Sequence, residues 1–232
     1  MPSQDAPSDW HTFPAMLCLR QLSGRSDTLQ RAVDWTLAAR AKHWKNPDPA
    51  NLGHDTSLEG WSWVAGTHAW AEPTAYALMA LEACGHADHP RAVEARTMLV
   101  DRAVAGGGWN YGNKMVLGTN LRPFPGTTGI VLTALRHRTE EPSVQAGIRY
   151  LQQQIRTVRS AMSLAWTIIA LKLLAPDTFD AAGQTRVDEV TDAALTHTMN
   201  TSGNAHHLAL VLLSTQQPER WPFNRQPAGA NA

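Results

Sequence analysis

Few residues in this chain combine a reactive side chain with a setting that could use it. The densest group is Cys84-Gly85-His86, followed by Asp88 and His89. A thiol, two imidazoles and a carboxylate so crowded could share one ion, but the spacing follows no standard zinc pattern. A glycine-capped helix end with solvent-facing histidines accounts for the same residues, so no metal is assigned. His206 and His207 are neighbours on a helix and diverge by about 100°, which leaves at most one of them facing a cavity. His54-Asp55 is adjacent in sequence, a spacing at which two side chains seldom converge for acid/base work, and reads as part of a loop. Glu72 stands directly before Pro73 at the head of an apolar helix, where a carboxylate complements the positive helix end. Around it lie Trp61, Trp63 and Trp70, and further on Trp109 and Tyr111.

The elements that position these residues follow from an internal repeat. Gly60 to Leu81 reads GWSWVAGTHAWAEPTAYALMAL, a Gly/Trp loop feeding a helix that is apolar nearly all round. From Gly106 the chain reads GGGWNYGNKMVLGTNLRPFPGTTGIVLTAL, again glycines, tryptophan, a loop and an apolar helix. Self-similarity of this kind marks helical-repeat architectures. Pro73 suits the first turn of a helix starting near Glu72 and ending near Cys84-Gly85. Pro90 opens a helix carrying charge on one side, as does the stretch where Leu29, Val33 and Leu37 recur. Val144, Ile148, Leu151, Ile155 and Val158 mark a further one-sided helix, and Val187, Val190 and Ala194 another. Residues 127–135, 162–174 and 206–213 are apolar throughout and read as buried helices. Residues 13–22 form an additional helix at the front, unpaired with the repeats.

Amphipathic and all-apolar helices therefore alternate, in about four hairpins with a repeat of roughly 35 to 55 residues. An all-apolar helix needs cover on both sides, so the apolar helices form an inner layer and the amphipathic ones an outer layer. The expected fold is a single all-α domain over residues 1–232, with repeats spanning 28–214. Residues 1–9 and the Pro/Gly-rich tail 216–232 are expected to be loose.

Composition removes several classes of function. With 43% hydrophobic and 17% charged residues the chain can fill a core and is outside the disordered class. Lys+Arg 20 balances Asp+Glu 20, and no basic stripe is interleaved with aromatics, so nucleic acid is not an expected partner. The apolar runs are too short and interrupted to span a bilayer, and the first residues lack the order of a signal peptide. Two cysteines, Cys18 and Cys84, form no disulfide framework, which agrees with a cytoplasmic setting.

Gly107-Gly108-Trp109-Asn110-Tyr111-Gly112 before Thr127-Thr128 and Ala134-Leu135, and Trp70-Ala71-Glu72-Pro73-Thr74 before Ala80-Leu81, resemble the repeats of the α/α-toroid superfamily of squalene cyclases and protein prenyltransferase β subunits. Ser163-Leu164-Ala165-Trp166 resembles the opening of a later inner helix in such proteins. The resemblance implies a helical ring, here complete or incomplete, handling an apolar isoprenoid-like ligand without a cofactor. It sets Trp70-Ala71-Glu72-Pro73-Thr74-Ala75 against the cyclases' Asp-x-Asp-Asp-Thr-Ala acid motif, so that only Glu72 could serve as the acid. Protonating an alkene requires that carboxyl to stay protonated in apolar surroundings. Trp63, Trp70, Trp109, Tyr111 and Trp166 would line the ligand, their π faces stabilising carbocations; the other reading of the tryptophans is packing between helices.

The thiolate-zinc segments of prenyltransferases have no match here, and neither does the Cys/Cys/His zinc site of lanthionine-forming rings. A glycan-cleaving ring would pair Glu72 with Asp55 or Glu59 across a cleft. Complete rings of this kind use more hairpins, which leaves an open crescent, a ring closed by a second copy as a homodimer, or a shortened relative. The non-enzymatic alternative is a scaffold whose concave face holds a lipid or a protein segment unchanged.

Overall fold

The computed structural model describes residues 10–44, 52–179, 181–201 and 204–224, and the expected loose start at 1–9 lies outside them. Among the described residues there are nine α-helices: α1 (Thr12–Ser23), α2 (Asp27–Ala38), α3 (Ala71–Ala83), α4 (Pro90–Asp101), α5 (Pro125–Ala134), α6 (Pro142–Gln154), α7 (Ala161–Leu174), α8 (Ala181–Thr201) and α9 (Ala205–Thr215). One two-stranded hairpin, β1 (Met115–Val116) and β2 (Thr119–Asn120), interrupts the loop between α4 and α5. Leu117 and Gly118 join the strands with φ of 49° and 76°, the left-handed pair that a tight hairpin turn requires. The chain is thus all-α but for this one ribbon.

Local sequence explains the helix starts. Pro90, Pro125 and Pro142 occupy first turns, where a missing N–H breaks no bond. Ser26 and Asn204 cap α2 and α9 through their side chains, satisfying first-turn donors.

The odd-numbered helices α1, α3, α5, α7 and α9 pack side by side in chain order, and α2, α4, α6 and α8 lie against α1, α3, α5 and α7. The hairpins are therefore α1–α2, α3–α4, α5–α6 and α7–α8, each inner helix followed by its outer one. The front helix α1 is thus paired with α2 rather than standing alone as the sequence suggested, and at the far end α8 lies against both α7 and α9. Connection length is the reason: residues 24–26 and 84–89 are short links, whereas 39–70 and 102–124 are long loops.

Burial sorts the helices as their composition demands. Along α3, α5 and α7 nearly every side chain is buried, while α2 and α6 bury one face each. The closest pair is α5 with α7, because a Cβ at Gly129 would sit 2.5 Å from the Trp166 carbonyl; only glycine lets the two backbones approach so closely. Helix α9, expected to be buried, buries only Leu210, Val211 and Ser214, and Leu212 is 60% exposed, because no described helix follows to cover it. The stretch from Gln216, expected to be loose, forms a single 3-10 turn (Pro218–Arg220) and buries Trp221 and Phe223 against the core through residue 224.

Candidate functional site

Two loops hold their tryptophans in the same way. The Trp61 N–H donates to Thr74 Oγ1 at 2.9 Å and its indole N–H to the Thr36 carbonyl at 2.9 Å. The Trp109 N–H donates to Thr128 Oγ1 at 2.9 Å and its indole N–H to the Leu99 carbonyl at 2.6 Å. Each threonine opens an inner helix, and Thr36 and Leu99 lie in the last turns of outer helices, whose carbonyls lack intrahelical partners. Trp70 N–H and Phe124 N–H close the sets by donating to the Trp61 and Trp109 carbonyls at 3.0 and 2.8 Å. Glycine precedes each tryptophan. At Gly108, with φ of 84°, a Cβ would lie 2.9 Å from Thr128 Oγ1. Trp61 and Trp109 are consequently core residues, at 2% and 0% exposure. Trp109, expected at the ligand, presents no surface and instead ties α4 to α5.

Glu72 is set one step beyond this lock, in the first turn of α3. Its carboxyl accepts a 2.6 Å hydrogen bond from the Thr127 hydroxyl on α5. No cation lies within ion-pairing distance among the described residues. Burial pushes the Glu72 carboxyl above its ordinary value of 4.5, and the Thr127 bond, which favours the charged form, opposes that only in part. One turn further along the same face, Tyr76 is pushed well above the usual phenol range, first by burial and then by the neighbouring Glu72 charge.

The surroundings of this pair come from the whole inner row. Trp166, on α7, packs edge-on against Tyr76 with ring centroids 5.8 Å apart. Its indole N–H faces the phenol closely enough to act on it, yet makes no well-formed hydrogen bond. Trp10 sits 6.3 Å from Tyr76 and 5.0 Å from Trp63, and Phe223 sits 6.2 Å from Trp166 and 5.8 Å from Trp221. Aromatic rings thus run from the Trp63 loop to the last described turn, with the Glu72 carboxyl beside them. Tyr76 on α3 and Trp166 on α7 thus meet although α5 packs between their helices.

The remaining predicted residues fall elsewhere. Trp70, half-buried, caps α3 and lines a pocket on the loop side. Tyr111 is 53% exposed and leans on Phe124 at 5.2 Å. Asp55 is exposed and accepts from Ser57 N–H and Oγ at 2.8 and 2.7 Å. Glu59 pairs with Arg91 at 2.8 Å and Arg40 at 3.5 Å, so neither carboxylate is free to partner Glu72. Cys84 and His86 border a depression with Arg20 and Arg25, and burial pushes the Cys84 thiol up. His89 instead caps α4, its Nδ1 accepting the Arg91 N–H at 3.2 Å. Among the described residues no three His, Cys, Asp or Glu side chains meet as a metal site.

Sequence reasoning missed Tyr76, Thr127, Trp10 and Phe223. Tyr76 was visible, four residues after Glu72 and on its face. Trp10 follows the start read as loose and Phe223 lies within the tail read as loose, where no periodicity points inward. No protein-family model matches the chain, and no curated protein matches it significantly. No helix among the described residues is long and apolar enough to cross a membrane.

Proposed function

We propose that the chain is an α/α-toroid protein of the kind it resembles, built as an open crescent, whose concave face holds an apolar isoprenoid-like ligand and whose Glu72 donates a proton to start its cyclisation. The observation that carries this reading is the state of Glu72: a carboxyl buried beside aromatic rings, bonded to one threonine hydroxyl and paired with no cation. The crescent is supported by the reach of Tyr76 to Trp166 across α5, and by the lack of comparable packing between α1 and α9 among the described residues.

In the step that follows, the Glu72 O–H proton moves to an alkene carbon, the π pair forms the new C–H bond, and a tertiary carbocation remains. A second alkene of the same ligand attacks that cation and closes a ring. Loss of a C–H proton to the Glu72 carboxylate ends the sequence and restores the acid. In this reading the rings of Tyr76, Trp166 and Trp63 would stabilise the transient cation through their π faces. Trp10 and Trp63 are half-buried and packed on one another, and such a ligand would enter past them.

The test is incubation with squalene and with geranylgeraniol, followed by mass spectrometry of the extract and fluorescence-monitored binding. The reading expects cyclised product from the parent protein, and Glu72→Gln that binds the same ligand but yields none. Binding without product in the parent favours a non-catalytic isoprenoid-binding scaffold. Absence of both binding and product overturns the proposal.

A further inference from the structure

On the loop side of the molecule, away from the Glu72 carboxyl, the links that follow α2 and α4 enclose a second pocket of ≈ 200 Å³. Arg102, the C-cap of α4, lies at its base and is only 6% exposed. One of its nitrogens donates to the Gly112 carbonyl at 2.9 Å. Its Nε is buried with no hydrogen-bond partner, and among the described residues no carboxylate comes within ion-pairing distance of it. A buried guanidinium usually has a bound anion or an acidic side chain for company.

The two nearest acids do not fill that role. Asp101 and Asp55 act on Arg102 from a distance, but the Asp101 carboxylate accepts the Asp55 N–H at 3.0 Å, and Asp55 is bonded to Ser57. Among the described residues no Asp or Glu lines the pocket, whereas Lys42 does. His54, also in the wall, has its pKa pulled down to about 4 by burial and then by Arg102, so it stays neutral at ordinary pH. Desolvation likewise lowers Arg102 to about 10, which still leaves it charged.

Three rings share the lining with this cation. Trp44 and His68 meet edge-to-face at 4.6 Å, and Trp70 completes the lining. Backbone bonds hold these walls in place without a ligand: Lys42 N–H donates to the Thr67 carbonyl at 2.8 Å, Trp44 N–H to the Thr56 carbonyl at 3.2 Å, and Ala71 N–H to the Tyr111 carbonyl at 2.8 Å. A pocket lined by two cationic side chains and by aromatic rings suits a small ligand having an anionic group on a flat apolar body.

We infer that this pocket binds a small flat ligand bearing a carboxylate or phosphate, with Arg102 meeting the anion and Trp44, His68 and Trp70 packing on its body. The site does not depend on the Glu72 chemistry. The experiment is calorimetric titration of the full chain with benzoate, phenyl phosphate, inorganic phosphate and the neutral isostere benzamide. Binding of benzoate or phenyl phosphate should exceed that of benzamide by roughly tenfold or more, as a charge-assisted bidentate contact implies. Preference between the two anions identifies carboxylate or phosphate as the head group.

Arg102→Gln should remove the preference for the anion. Because Arg102 is buried, its variant is checked by circular dichroism; if it does not fold, Trp44→Ala and Lys42→Ala, at exposed positions, take its place. Trp44→Ala should weaken every ring-bearing probe, and Lys42→Ala the anions alone. Equal binding of benzoate, phenyl phosphate and benzamide, or no binding of any at millimolar concentration, overturns the assignment. So does tight inorganic phosphate with no gain from the phenyl ring, which would describe an adventitious ion only.

Discussion

Helix α3 carries a buried carboxylate at each end, and the two are held in opposite ways. Glu82, near the C-terminal end, lies between Arg96 at 3.0 Å and Arg136 at 2.9 Å, with side-chain exposures of 7%, 14% and 7%. Glu72, at the N-terminal end, has only the Thr127 hydroxyl. A carboxylate held between two guanidiniums joins α3 to α4 and to the end of α5. A carboxyl enclosed by rings and one hydroxyl is free to keep its proton, which a structural ion pair is not. The difference separates a side chain that holds the inner row together from one available for chemistry.

The largest effect should come from breaking the paired end. Glu82→Gln leaves two buried guanidiniums without their counter-charge, and urea denaturation should show a loss of about 3–5 kcal/mol. At the other end, Thr127→Val removes the hydroxyl and should cost about 1 kcal/mol. The same change should raise the Glu72 pKa further, since the lost bond favoured the charged form, and an NMR titration of the glutamate carboxyls would read that shift directly.

Glu72→Gln should be close to neutral or stabilising, with a sign that depends on pH. The folded carboxyl has a pKa above its unfolded value, so the native state holds its proton more tightly. Stability associated with it is complete below about pH 4.5 and is lost as pH rises through the folded pKa. The melting temperature of the Gln variant relative to the parent should therefore climb from pH 4 to pH 8. A constant difference across that range would show that the two ends of α3 are alike after all. Tyr111→Ala, outside both ends and 53% exposed, should change stability by no more than about 0.5 kcal/mol.

Much of this architecture can be read from residue pattern. The all-apolar runs became α3, α5 and α7, and the one-sided runs α2 and α6, because burial on one face or all round leaves a direct mark on composition. Pairing of helices did not show, since it rests on which connections are short. The tryptophans were harder: Trp61, Trp63 and Trp109 look alike in sequence, yet two are locked by carbonyl and threonine partners far along the chain. The threonines that give the lock its recurrence, Thr74 and Thr128, were part of the quoted motifs, and reading them as acceptors would have assigned Trp109 to the core. Glu72 was singled out from its position, but its partner Thr127 is 55 residues away. Arg102 carries no local signal at all, because its isolation is a property of two long loops meeting.

The most direct test of the account is the titration of Glu72 itself, by NMR of protein labelled at the glutamate side-chain carboxyl carbon, with Glu72→Gln assigning the resonance. The account predicts a midpoint above the ordinary 4.5, moving higher still in Thr127→Val. A midpoint at or below 4.5 would mean that Glu72 is an ordinary ionised carboxylate at a helix N-terminus, and the proton-donor reading would fall with it.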